Sequence, residues 1–429
     1  MAALKETAPR PPEQSPRTAA TTAVRQTRTR RRSEERRRAI LAAAVQLFNE
    51  KGLRGTTLSD VGQAVGLSTN SICYYFRKKE DLAAACFIET ISVIRAIVAE
   101  AGRETSSEAR IRGLASGFAR QLAREAEGGA QKLAGVYDLR ALEGTQSKVV
   151  SSAYNDLFRE VRALLLTADH PKPSRLINAR AHLLISLVHS MRIWIGRYAT
   201  NDYDLVAQHF CDVLIGGFIA PKASWPPVAL APVNWSFEED ATSSRDAFLR
   251  AATQTINDLG FSGASVDRIS MRLQVTKGAF YHYNESKEGL FSECAARTFA
   301  ILSDVQNEAR SQSTGWNELG SAITYLVAYQ LSERGPLLRA TALSALPATD
   351  RAHMIDATNK LSERFVYPIV RGIADGSIRP VHPVVGSHLV SAMIYATTEL
   401  PLWVRETHSD EAIELYAKPL LTGFLSELA

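Results

Sequence analysis

Apolar residues recur at three- and four-residue steps along nearly the whole chain from position 34 onward, and no alternating run of β-branched residues occurs. That period, with abundant Ala and Leu, predicts an all-α protein. Near the start the pattern resolves into three elements. Residues 34–51 form an amphipathic helix with Ile40, Ala44, Leu47 and Phe48 on one stripe, ended by Gly52, which tolerates the positive φ of a helix C-terminus. Thr57 is an N-cap for a short helix over 58–65 whose Leu58, Val61 and Val65 face inward. Gly66-Leu67-Ser68 is a tight turn with Ser68 as the next cap. The helix that follows, 69–76, is polar on one side (Thr69, Asn70, Ser71, Tyr74) and apolar on the other (Ile72, Tyr75, Phe76).

The pattern breaks twice. Residues 1–33, rich in Pro, Thr, Ala and Arg and without apolar periodicity, are expected to be a disordered basic tail. The segment PKASWPPVALAPVNW (221–235) holds four prolines, so no helix runs through it and it reads as a semi-stiff linker. The stretches on either side of that linker are related. A shift of 208 residues aligns 36–82 with 244–290 without a gap, matching Arg37/Arg245, Leu41/Leu249, Asn49/Asn257, Gly52/Gly260, Tyr75/Tyr283, Lys79/Lys287 and Leu82/Leu290. An internal repeat of this length outranks other readings of the architecture. The expected domains are a tail (1–33), a three-helix module (34–80), a longer helical domain (81–220), the linker (221–238), a second module (239–288) and a second longer helical domain (289–429).

Two short helices joined by a Gly-containing turn form a helix-turn-helix, whose second helix enters a major groove. Short donors and acceptors belong at the N-terminal end of that helix, and flanking cations and aromatic hydroxyls belong near phosphates. Both segments resemble the DNA-binding domain of the TetR family of bacterial repressors, which runs helix, Gly, short helix and then a stretch like VSKGALYHHF-SKE-L. Here that stretch stands as LSTNSICYYFRKKEDL (67–82) and VTKGAFYHYNESKEGL (275–290). The resemblance is specific over these two blocks and only architectural elsewhere. It places base-proximal residues at Thr69, Asn70 and Ser71 and at Lys277, Gly278 and Ala279. It places the phosphate-contacting aromatic pair at Cys73/Tyr74 and Tyr281/His282, and the backbone-clamping lysine at Lys79 and Lys287. Together with the caps and their neighbours, the expected DNA contacts are Thr57, Ser68, Thr69, Asn70, Ser71, Tyr74, Tyr75 and Lys79. In the second module they are Ser265, Thr276, Lys277, Gly278, Ala279, Tyr281, His282 and Lys287. Three departures weaken the match: Cys73 where an aromatic is usual, Gln274 where Gly is usual, and Asn284 where the first module has Phe76.

Charge sharpens this picture. The first 38 residues hold eleven Lys/Arg against four Glu, whereas the whole chain carries +5, so the basicity is a tail on a weakly acidic body. Such an arm suits a polyanion. Four scattered cysteines without a CxxC pair argue for a reducing cytoplasm and against a zinc site. No apolar run suggests a membrane span or a leader, no cofactor motif is present, and no GxSxG, HExxH or P-loop suggests an enzyme.

The resemblance implies that the last two long helices of each unit form a four-helix interface and that the preceding helices enclose an effector. INARAHLLISLVHSMRIWIGRY (177–198) is echoed by VVGSHLVSAMIYATTELPLWVRE (384–406), and DVLIGGFIA (212–220) by PLLTGFLSE (419–427). Either the two sensors of one chain pair as an internal pseudo-dimer or two chains pair as a homodimer. Candidate pocket residues are Tyr137, His189, Trp194, Tyr325, Tyr329, Tyr395 and Trp403, aromatic or polar groups on apolar faces that would suit a hydrophobic small molecule. The expected partners are a double-stranded DNA operator and that effector, which would release a repressor. The alternative is a ligand-independent regulator in which one module or the pocket is degenerate. Because Thr-Asn-Ser and Lys-Gly-Ala differ, an internal dimer would read an asymmetric operator.

Overall fold

The computed structural model describes residues 16–135, 142, 144–168, 170–230, 233, 244–273, 276, 278, 286–339 and 348–427. Helices α1 (Pro16–Gly55), α2 (Leu58–Ala64) and α3 (Thr69–Tyr75) follow the three elements that the periodicity predicts. α1 bends at Gly52 (φ 70°, ψ 164°), and α9 (Ser244–Gly263) bends at Gly260 with the same pair of angles, so the repeat extends to the backbone. A positive φ of this kind is why glycine stands at both bends.

α1 begins well before the periodic stretch. Residues 16–33 are helical, not a disordered tail, while 1–15 lie outside the described residues. Three local features explain the extension. Pro16 stands at the first position, where its missing N–H costs nothing; Ala and Arg are strong helix formers; and Arg30–Glu34 and Arg31–Glu35 pair one turn apart.

The core of the first module is continuous with the main core of the chain, whereas the second module has its own small one, and the helix that follows closes each. In the first, Ile40, Ala44, Phe48, Val61, Ile72 and Phe76 meet Leu82, Cys86 and Phe87 of α4 (Lys79–Ala101), all buried. In the second, Phe248, Ala252, Ile256 and Ile269 meet Leu290, Phe291 and Cys294, from α9, α10 (Val266–Leu273) and α11 (Lys287–Ala309). Each large side chain so buried contributes about 1.5–3 kcal/mol. Cys86, Cys211 and Cys294 are buried free thiols, and burial pushes each well above its ordinary pKa.

The first larger helical domain, expected to be a sensor, comprises α4, α5 (Ser107–Ala126), α6 (Gly144–Ala163), α7 (Arg175–Trp194) and α8 (Tyr203–Gly216). The second comprises α11, α12 (Gly315–Leu331), α13 (Ala348–Glu363), α14 (Val366–Asp375) and α15 (Pro383–Ala396). It ends with α16 (Leu400–Trp403), α17 (Ser409–Ala412), a π-helical turn (Ile413–Ala417) and α18 (Lys418–Thr422). By length and composition α4 could cross a bilayer, but it packs on α1, α5 and α6 with half of its apolar window buried, as a core helix does. No strand occurs among the described residues beyond one bridge, Ile219 to Ile378.

The two sensors pair with each other within the chain. α7 and α8 pack on α15, on the π turn and on α18. At their ends two Gly-Phe dipeptides cross: the Phe218 N–H donates to Leu421 O (2.8 Å) and the Phe424 N–H to Leu214 O (3.0 Å). A Cβ on Gly217 would sit 2.5 Å from the Gly423 nitrogen, so the approach requires glycine, and both residues also have positive φ. Reciprocity continues in the aromatic contacts. Trp194 stacks on His388 (4.9 Å between centroids) and Trp403 stacks on His182 (5.8 Å). Matching contacts in both directions are the mark of a two-fold interface. Arg180, fully buried, pins it by donating to Leu415 O and Glu427 Oε2, each at 2.8 Å.

The linker is non-helical over 221–230, as its prolines require, but it is docked instead of free. Trp316 Nε1 donates to Ser224 O (3.1 Å), Trp225 Nε1 to Glu414 Oε1 (3.1 Å), and a Cβ on Gly320 would meet Pro227 at 2.7 Å.

Candidate DNA-binding and sensor sites

The polar helix of the first module is held from both ends. Thr57 caps α2 reciprocally with Asp60: the Asp60 N–H donates to Thr57 Oγ1 (3.1 Å) and the Thr57 N–H to Asp60 Oδ2 (2.8 Å). Hydrogen bonds from Thr57 hold the Asp60 carboxyl below its ordinary pKa. α2 ends in a Schellman turn, with Gly66 at φ 66° and the Leu67 N–H donating to Gly62 O (2.8 Å). Ser68 then caps α3, accepting from the Ser71 N–H at 3.3 Å.

Ile72 and Phe76 anchor α3 in the core, which turns Thr69 and Asn70 outward and leaves Tyr74 82% exposed. Ser71 is half-buried with its hydroxyl 3.0 Å from that of Ser68, and Tyr75 is half-buried with its ring edge-on to Tyr74 (5.3 Å). Arg77 and Lys78 are exposed and Lys79 half-buried just beyond the helix, while Arg37 lies over the Phe76 ring at 5.4 Å. The arrangement presents short polar groups, one aromatic hydroxyl and a basic flank on a single face. That face suits base edges in a groove with phosphates beside it.

The second module repeats the scaffold. Ser265, exposed, accepts from the Arg268 N–H (3.3 Å) where Thr57 does so in the first, and Ser286 caps α11 next to half-buried Lys287. Thr276 and Gly278 are exposed. Lys277, Ala279, Tyr281 and His282, with Gln274 and Asn284, lie outside the described residues.

A pair of side chains that periodicity did not single out ties each module to its sensor. Asn49 donates to Leu133 O (3.0 Å) and accepts from the Gly135 N–H (2.9 Å). Asn257 donates to Leu337 O (2.9 Å) and accepts from the Arg339 N–H (3.0 Å). Thr90 and Thr298 accept from the N–H groups of Ala134 and Leu338 in the same two loops. Arg192, on interface helix α7, grips the first loop through Leu133 O and Ala134 O. The available signal was the identity of Asn49 and Asn257 across the repeat, polar residues retained on a helix that otherwise faces a core.

The sensor candidates scatter. Trp194 and Tyr395 line a cavity of about 110 Å3 between α7, α13 and α15. His189 lies apart, against Phe118 at 5.5 Å, and burial presses its pKa down to about 3. Tyr329 accepts a hydrogen bond from the buried Arg297 (3.0 Å), which is itself paired with Asp246 (2.7 Å), so it serves the core. Tyr325 is half-buried against the main core, Trp403 stacks on Phe158, and Tyr137 lies outside the described residues.

A three-helix domain that caps and exposes a short polar helix, as the first module does, is a helix-turn-helix DNA-binding domain. Residues 40–86 and 248–294 both match the family described as bacterial regulatory proteins, tetR family. The chain therefore carries, in tandem, two DNA-binding domains of the kind found in that family of transcriptional regulators. It is 26% identical over 101 residues to the transposon Tn10 TetC protein of Escherichia coli, an alignment covering 24% of this chain and about half (51%) of that relative's length. Two solved structures are also similar to it. One is a TetR family transcriptional regulator, PfmR, from Thermus thermophilus (18% identity, 41% of this chain and 92% of that one, TM-score 0.33). The other is apo AibR (20% identity, 42% and 99%, TM-score 0.34).

Proposed function

We propose that the chain is a single-chain, cytoplasmic transcriptional repressor. One molecule places two unlike recognition helices on an operator, and a small molecule bound in the sensor half lowers operator affinity. The observation that carries this reading is the internal pairing: the two modules are fixed relative to each other by one interface, as two half-sites on DNA require. The Asn49 and Asn257 clamps support the second half of the reading, because they join each module to a loop that other sensor side chains also hold. An effector acts only through a difference in its affinity for the two states of such a linkage.

Fluorescence anisotropy with a duplex recovered from a random pool tests it. Asn70→Ala is expected to weaken binding by about 1–3 kcal/mol and to relax preference at one position. Tyr74→Phe is expected to weaken binding equally for all sequences. Equal affinity of the unaltered protein for the recovered duplex and for competitor DNA at moderate salt would refute the reading.

A further inference from the structure

Resting on that reading, we propose that the chain has one effector site and not two. It lies in the second unit under Trp194 of the first unit, and its twin in the first unit, under Trp403, is filled by Tyr154 and Phe158.

The two places are related by the pseudo-symmetry but built from different side chains. A shift of 204 residues aligns α6 with α13, pairing Ala153, Asn155 and Leu157 with Ala357, Asn359 and Leu361. Two other positions change size: Tyr154 becomes Thr358, and Phe158 becomes Ser362. In the first unit those rings close the space, with Trp403 stacked on Phe158 at 3.9 Å and lying 6.0 Å from Tyr154. In the second unit Thr358 and Ser362 stand back, and the 110 Å3 cavity lies between them, Trp194, His388 and Tyr395. At roughly 30 Å3 for each water in the liquid, the space equals about four waters, the scale of one small ring and not of two.

The walls define the ligand class. His388 is 4% exposed, lines the cavity, and its Nε2 has no hydrogen-bond partner among the described residues. A buried polar atom left so is costly, and a ligand hydroxyl or carbonyl would satisfy it. Trp194 and Tyr395 supply flat apolar surface, and Ser190, Ser362, Ser391 and Thr358 supply hydroxyls. The formal charges in the wall, Arg339 and Glu399, neutralise each other at 2.8 Å. The site therefore fits an uncharged, flat molecule of one ring that carries a hydroxyl or carbonyl, more polar than the hydrophobic effector that sequence patterns suggested.

The wall also touches the second DNA-binding module. Arg339 reaches Glu399 and Thr398 with its guanidinium, while its own N–H donates to Asn257 of α9. A ligand that hydrogen-bonds to Arg339 therefore acts one residue away from the helix that carries the module.

Calorimetric titration of the full chain with phenol, free of DNA, tests the proposal, with benzoate as the charged comparison. One site per chain is expected for phenol, with the carboxylate at least tenfold weaker. Ser362→Phe, and independently Thr358→Tyr, should remove the site, and Phe158→Ser combined with Tyr154→Thr should add a second. In the presence of operator, Asn257→Ala should keep phenol binding but lose its effect on DNA affinity. Two sites in the unaltered chain, no saturable binding of phenol, tighter binding of the carboxylate, or binding unchanged by both filling variants would overturn it. Because the titration contains no DNA, it stays decisive even if operator recognition fails, and a failed titration leaves operator recognition standing.

Discussion

Asn49 and Asn257 each donate from Nδ2 to a loop carbonyl and accept at Oδ1 from an N–H two residues further on, so one amide satisfies two backbone groups of a partly buried loop. Replacing either by Ala strands both groups. Asn49→Ala is expected to cost about 1–3 kcal/mol in urea denaturation and to change operator affinity without touching α3. A cost below a few tenths would show that the clamp holds nothing. His189 makes a second prediction at this scale. Burial, with the charges of Arg192 and His182, lowers its pKa from 6.5 to about 3, and His388 is lowered to about 4. Below pH 6.5 the unfolded chain takes up protons that the folded chain refuses, so the stability from these neutral imidazoles is full above 6.5 and is lost as pH falls toward 3–4. Each contributes a slope of up to about 1.4 kcal/mol per pH unit. His189→Leu should flatten the decline in unfolding free energy between pH 6.5 and 4.5; an unchanged slope would show that His189 does not drive it.

Among the elements, α2 and α3 were legible because they are set locally: caps at Thr57 and Ser68, a left-handed Gly66, and an apolar side that leaves only one face for function. Gly66→Ala meets no neighbour within 4 Å, so its expected cost is the backbone conformation alone, about 1–2 kcal/mol, seen as a lower Tm with operator specificity retained. Other elements were less legible for definite reasons. The Thr- and Arg-rich start of α1 lacks a core-facing stripe, so periodicity is blind to a helix supported by propensity and exposed ion pairs. The exchange of Tyr154 and Phe158 for Thr358 and Ser362 was hidden because the repeat slips by four residues there, from 208 to 204, and then stands at 206 for His182/His388 and Gly217/Gly423. Which aromatics line a cavity and which fill one depended on packing between units far apart in the chain, and no local pattern encodes that.

For the molecule as a whole, the crossing at Gly217 and Gly423 and the reciprocal His–Trp stacks make one chain carry an interface of the kind that two identical chains would otherwise share. The basic extension of α1 then belongs to one module only. Replacing Arg30, Arg31 and Arg32 by Ala should make log affinity less steep against log salt by about one for each phosphate no longer neutralised, with half-site preference retained; an unchanged slope would assign these arginines to solvent. Tandem modules with unlike recognition helices lead to the central claim, that a single chain is the complete DNA-reading unit. Sedimentation of the protein with a duplex selected by the full chain, together with the sequence of that duplex, tests this most directly. One chain per duplex on two non-identical half-sites about one helical turn apart is the predicted result. Two chains on a perfect palindrome would contradict it.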